Sequence, residues 1–343
     1  AIDFNDNIDL AGNLTLSGYV SANGGYCSDA NSNSKFGTKA LCALTTGDQN
    51  TATGLRALRA NTSGGSNTAH GAYALDSNTT GCLNTAVGNT ALGANTTGCD
   101  NTASGRYALR CNTTGSRNTA VGGCALHANV NGNGNAAVGF KALRATTSGV
   151  YNTATGAHTL EYNTTGNQNT AHGNIALYKN TTGAQNTAVG TKSLYANTTA
   201  SYNTAVGFET LCCNTTGAYN TASGYKALRL NTTGGCNAAF GVLALEDNTT
   251  GCQNVAIGSS ALCSNTTACF NTAVGGCSLF ANTTGANNVA VGYNALKANT
   301  TASSNTAVGN YSLQANTTGA NNTATGFYAL LSNTTGDLNT ASG

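Results

Sequence analysis

The chain has 343 residues, of which 8% are charged and 40% hydrophobic, and its formal net charge is +2. That balance gives no electrostatic reason to bind nucleic acid or an acidic membrane surface. No apolar run approaches the roughly eighteen residues needed to span a bilayer. Pro, Met and Trp are absent, as expected if one phrase lacking them was copied many times.

Residues 1–32 differ from the rest of the chain. Ile2 and Phe4, Ile8 and Leu10, and Leu14 and Leu16 alternate with polar residues, while Gly12, Gly18, Gly24 and Gly25 punctuate the runs. Alternation broken by glycine predicts short β-strands, so this segment is expected to act as an entry cap. From Asn33 an asparagine recurs every seventeen residues to Asn339, nineteen times in all. A fixed period near twenty residues is the mark of a solenoid, in which each repeat packs only on its neighbours. Residues 33–343 are therefore expected to form one shaft of about eighteen coils. Gly343 would be the fifth residue of an unfinished repeat, so a longer parent protein is expected.

Asn84 to Asp100, NTAVGNTALGANTTGCD, serves as the type phrase, numbered 1 to 17 from its first Asn. Position 1 is always Asn, position 5 always Gly and position 9 always Leu; position 3 is Ala in every copy but the first, which has Lys35. Runs of four or five residues between turn signals are too short for helices. The phrase predicts an all-β parallel solenoid with two short strands per coil, positions 1–4 (Asn84–Val87) and positions 8–11 (Ala91–Ala94). Gly88 would permit the first turn and Gly98 the second.

Tolerance shows which side chains should point inward. Leu92 and its equivalents never vary, whereas position 10 accepts Arg59, Asp76, His127, Glu161, Cys263 and Lys297. Strand alternation then puts Leu inside and position 10 outside. Ala86 would face Leu92 across an interior one side chain thick. Stacking at about 4.8 Å would set Asn on Asn, so Asn84 and Asn101, like Asn95 and Asn112, are expected to form amide ladders at two corners.

If Ala86 points in, Thr85 and Val87 point out. Position 4 holds eight Val, two Phe, one Ile, three Thr, three Ser and two His, and position 2 holds fourteen Thr, two Ala, two Val and one Ser. No Asp, Glu, Lys or Arg occurs in either column, whereas positions 7 and 10 carry ten of the fourteen basic residues. A charge-free outward stripe predicts a cover, and the expected cover is the same stripe on further copies of the chain. Its interchain residues would be Thr85, Val87, Val121, Val138, Val189, Val206, Phe240, Ile257, Val274, Val291 and Val308.

Chemistry is sparse. His70 and His172 both take position 4, six coils apart, and could meet only across chains. His127 and His158 show no carboxylate or thiol at useful spacing. No nucleophile–base pair, phosphate loop or metal motif stands out, so neither an enzyme nor a cofactor is expected. Among thirteen cysteines, Cys82 and Cys99 share position 16 in adjacent coils, as do Cys252 and Cys269. Their expected separation is compatible with inter-coil disulfides. Fifteen Asn-Thr-Ser or Asn-Thr-Thr triplets between Asn61 and Asn333 have the form of glycosylation acceptors, though turn chemistry alone accounts for them.

The phrase NTAVGxxALxxNTTG, as at 84–98 and 186–199, resembles repeats in phage tail fibres and in proteins ending in an endosialidase-type chaperone domain. The segment Gly12 to Gly18 is similar to short strands preceding such regions. A more distant likeness is to trimeric autotransporter adhesin heads, although the seventeen-residue period departs from that pattern and leaves the coil's shape and hand open. The resemblance implies a homotrimeric fibre shaft on a virion, whose receptor or cell-surface glycan is held by regions outside this sequence. The alternatives are an extracellular adhesin or filament subunit of a cell and, third, an ice-binding solenoid with Thr ranks at position 2.

Overall fold

A computed structural model describes residues 27–28 and 31–343; the alternating segment expected at Ile2 to Leu16 lies outside the described residues. Within them the chain is all-β, a parallel solenoid with no helix. Nineteen three-residue strands, β2 (Ser34–Phe36) through β20 (Thr340–Ser342), occupy positions 2–4 of successive copies. Each pairs in parallel with the next in strict register, so that Thr85 faces Thr102, Ala86 faces Ala103 and Val87 faces Ser104. At the N-terminal end β1 (Cys27–Ser28) runs antiparallel to β2 and occupies its edge.

The second strand expected at positions 8–11 does not form. The chain makes two successive turns there instead, closed by Ala91 N–H to Gly88 O and Gly93 N–H to Thr90 O, both at 3.3 Å. The third residues of these turns, Thr90 and Leu92, have φ of 56° and 50°. That is the geometry of a type II turn, which needs positive φ at its third residue. Holding Leu in this region costs roughly 1–2 kcal/mol. Burying its side chain returns about 1.5–3 kcal/mol, and Leu92 is 0% exposed, so burial wins in each coil.

Because the chain turns rather than extends, two consecutive side chains point inward. Ala91 is as fully buried as Leu92, which strand alternation had placed outside. The core is thus position 3 (Ala86), position 8 (Ala91), position 9 (Leu92) and the two asparagines. Where position 8 carries a hydroxyl, a backbone carbonyl accepts it, as in Thr210 Oγ1 to Gly224 O at 2.7 Å, Ser278 Oγ to Gly275 O at 2.8 Å and Ser312 Oγ to Ala324 O at 3.2 Å.

Coil-to-coil bonding extends far beyond the strands. Thr85, Leu92, Ala94 and Thr96 donate their amides to the following coil, and Gly88, Thr90 and Asp100 donate to the preceding one, at 2.8–3.1 Å. Asn84 Nδ2 donates to Asn67 Oδ1 at 3.1 Å, and Asn95 Nδ2 to Asn78 Oδ1 at 2.7 Å. Both also donate to Gly98 O, at 2.8 and 3.0 Å. Each coil is therefore knotted inside by two carboxamides converging on one backbone carbonyl.

Two copies break this pattern, the first with Leu44 at position 12 and an interior one that leaves polar atoms unpaired. Thr146 replaces Asn at position 12; its Oγ1 and the Asn129 Oδ1 one coil below have no hydrogen-bond partner among the described residues. An unpartnered buried polar group costs about 1–3 kcal/mol. Thr146→Asn is expected to offer Nδ2 to Asn129 and an acceptor to Asn163, raising stability by about 1–3 kcal/mol. Denaturant midpoints of the two proteins, at unchanged slope, measure this directly.

Candidate functional site

The outer face of the sheet consists of positions 2 and 4. Thr85, Val87, Val121, Val138, Val189, Val206, Phe240, Ile257, Val291 and Val308 are exposed or half-exposed on it, and Val274 is half-buried. The strands explain why: Ala at position 3 is buried, so its neighbours face away from the core. His70 and His172 sit exposed in the same column. Along one margin, position 6 adds exposed Phe140, Phe208, Tyr225, Val242, Tyr293 and Phe327.

A second face, at positions 7, 10 and 11, is charged and aromatic. The turn at positions 7–9 brings positions 7 and 10 together, which alternation along a strand would not do. Asp76 accepts from Arg56 and Arg59, both at 2.9 Å. Glu209 pairs with Lys192 at 3.4 Å and Glu246 with Arg229 at 2.8 Å. These pairs are partly exposed and each contributes little.

Glu161 is different. It is 3% exposed, with His158 Nδ1 at 2.6 Å, Arg144 at 3.6 Å and Lys141 at 4.0 Å. The expectation that His158 lacks a carboxylate is therefore corrected: residues three apart meet because the chain reverses between them. The ring of His158 also lies edge-on to Phe140 and to Tyr178. Tyr178 stacks on Tyr195 at 5.4 Å. A hydrogen bond with Tyr162, followed by burial and Glu161, pushes the Tyr178 phenol up to about 12. Buried against Lys141, Arg144 and the His158 ring, Glu161 anchors the turn; its removal would leave the Lys141 and Arg144 charges crowded together.

The cysteine pairs lie side by side. Cys82 and Cys99 Sγ atoms are 2.8 Å apart, and those of Cys252 and Cys269 are 2.7 Å apart; all four are free thiols. Thiol–thiol hydrogen bonding, then burial, pushes Cys82 and Cys252 up to about 11, which keeps these two protonated at neutral pH.

The asparagines of the triplets shaped like glycosylation acceptors are buried, except the half-buried Asn333, whose Nδ2 also donates to two oxygens. Asn95 and the other position-12 asparagines of the shaft interior are buried, and Asn95 Nδ2 donates to two oxygens. Among the described residues no group of three or more His, Cys, Asp or Glu could hold a metal ion, and no helix is long and apolar enough to cross a membrane. No protein-family model matches the chain, and no curated protein matches it.

Proposed function

We propose that this chain is the shaft of an extended, non-enzymatic fibre of the phage tail-fibre type, built from parallel copies associated through the sheet face. The observation carrying this reading is the continuous sheet of nineteen parallel strands whose outer columns at positions 2 and 4 hold no charged residue. A surface repeating at one strand spacing over its whole length fits best against another surface with that spacing, which a second copy supplies. Eighteen coils at about 4.8 Å make a rod of roughly 85–90 Å. With strands about 10 Å wide, the face offers on the order of 900 Å² per chain, comparable to the roughly 800 Å² per partner of a stable interface.

End-to-end filament growth, the cellular alternative, is less well supported, because β1 already occupies the edge of β2. Sedimentation equilibrium tests the side-by-side reading. The protein is expected to be trimeric, and Val189→Lys with Val206→Lys is expected to yield monomers with an unchanged circular dichroism spectrum. A monomeric parent protein, or an assembly indifferent to the two lysines, would sink the proposal.

A further inference from the structure

Along the column at position 16, the backbone amide of one coil is donated to the side chain of the next. Ser116 N–H donates to Asn133 Oδ1 at 2.7 Å, Val150 N–H to Asn167 Oδ1 at 2.8 Å and Ala184 N–H to Ser201 Oγ at 3.0 Å. Four of the eighteen residues in this column are cysteines, and they fall as two adjacent pairs, Cys82 with Cys99 and Cys252 with Cys269. In both pairs sulfur takes the acceptor's place: Cys82 N–H donates to Cys99 Sγ at 3.1 Å and Cys252 N–H to Cys269 Sγ at 3.0 Å.

The amide thereby fixes the second sulfur of each pair beside the first, at 2.8 and 2.7 Å. The thiol hydrogens are ordered as well. Cys99 Sγ donates to Thr97 O at 3.6 Å and Cys269 Sγ to Thr267 O at 3.8 Å, which leaves the hydrogens of Cys82 and Cys252 for their partner sulfurs. A disulfide needs an S–S distance of about 2.05 Å and Cα atoms about 4.4–6.8 Å apart. Coils stacked at about 4.8 Å meet the second condition, and a small side-chain rotation meets the first. All four cysteines are half-exposed. They lie off the position 2 and 4 columns, so association through the sheet face leaves them within reach of small molecules.

We propose that these are two redox-active dithiol sites, at which a small disulfide oxidises each pair to a staple between adjacent coils. Cys82 and Cys252 are held as thiols by the bonds they donate, so Cys99 and Cys269 attack first. The Cys99 thiolate attacks one sulfur of the small disulfide, breaking its S–S bond; the small thiolate expelled takes up the proton that Cys99 lost. Cys82 then gives up its proton and attacks Cys99 Sγ. The mixed disulfide breaks, and the second small thiolate leaves with that proton. Two protein thiols lose two electrons and two protons, and one small disulfide becomes two thiols. Cys269 and Cys252 follow the same course. The staples fall on either side of the copy carrying Thr146, one in each uninterrupted stretch of the inner ladder. The proposal goes beyond the shaft reading and does not rest on it.

Treatment of the full, reduced chain with bis(2-hydroxyethyl) disulfide tests it. Chymotryptic mapping at early times is expected to find links joining Cys82 to Cys99 and Cys252 to Cys269, while the exposed Cys42 and Cys236 carry at most the small-thiol adduct. The stapled protein is expected to unfold at a higher denaturant midpoint than its reduced form, because each link constrains the unfolded chain, and reductant should reverse the shift. Cys82→Ser is expected to trap the adduct on Cys99, whereas Cys99→Ser should leave Cys82 reacting roughly tenfold more slowly. Serine stands in this column at Ser116, Ser201 and Ser303, so the coil accommodates both variants. Links joining other cysteines, Cys236 to Cys252 among them, would overturn the proposal. So would adducts that persist on the parent pairs without closing, equal reaction rates at Cys82 and Cys99, or a midpoint indifferent to the staples.

Discussion

Asn101→Ala is expected to destabilise the shaft by about 3–5 kcal/mol, as much as truncating a large core side chain. The Asn101 side chain donates to Asn84 Oδ1 at 3.1 Å and Gly115 O at 2.9 Å. It accepts from the Asn118 amide at 3.0 Å and from Asn118 Nδ2 at 3.1 Å. Removing it breaks four buried hydrogen bonds and leaves the Asn118 amide without its acceptor in a place no water reaches. Most of the other partners keep one bond: Gly115 O retains Asn112 Nδ2 at 2.9 Å. The loss therefore stays below the sum of four separate bonds. Denaturant unfolding gives the magnitude, and hydrogen exchange should show the loss of protection centred on the coils containing Asn101 and Asn118. A change below about 1 kcal/mol would mean that the ladder is a by-product of stacking and contributes little to it.

Glycine at position 5 should be equally intolerant, and position 15 supplies the control. Gly190 has φ of +128°, and a Cβ there would lie 2.4 Å from Gly207 O in the next coil. Gly190→Ala therefore combines a backbone conformation closed to L side chains with overpacking, about 1–3 kcal/mol for each. Gly183 at position 15 looks as crowded, with a Cβ placed 2.3 Å from Ala200 O, but its φ is not in the left-handed region. Three copies carry Ala at that position, namely Ala200, Ala268 and Ala302, each 4% exposed. In those coils the amides at positions 14 and 15 no longer reach the next Thr carbonyl, whereas Thr96, Thr97 and Gly98 all do. These three coils show that the turn accommodates a Cβ at position 15. Gly183→Ala is accordingly expected to cost under about 1 kcal/mol, and Gly190→Ala about 2–6 kcal/mol. Parallel melts of the two variants would show whether dihedral strain or contact decides.

Much of this architecture was legible in the repeat. An asparagine every seventeen residues requires a solenoid, and the constancy of Ala86 and Leu92 marks them as interior. The second strand misled because alternation presupposes an extended chain, and nothing in Thr90 or Leu92 advertises positive φ. Position 8 did carry a signal: it accepts only Ala, Ser or Thr, the tolerance of a small enclosed space. The pairing of His158 with Glu161 was hidden by the same error, since it exists only because the chain turns between them.

Thr146 has a mechanical consequence. In a stack where each coil touches only its neighbours, stability is a chain of junctions, and the whole yields first at the weakest. At the junction between the coils of Asn129 and Thr146 the inner ladder is interrupted, and Val130 brings no hydroxyl to the Thr column that otherwise runs beside it, as at Thr113 and Thr147. At that corner the backbone bonds from Val130 N and Asn131 N to Thr147 O, at 2.9 and 3.3 Å, continue without side-chain support. Pulled from its ends, the rod should part at this seam into two blocks that each unfold cooperatively, so that a fibre overloaded along its axis fails at a fixed height.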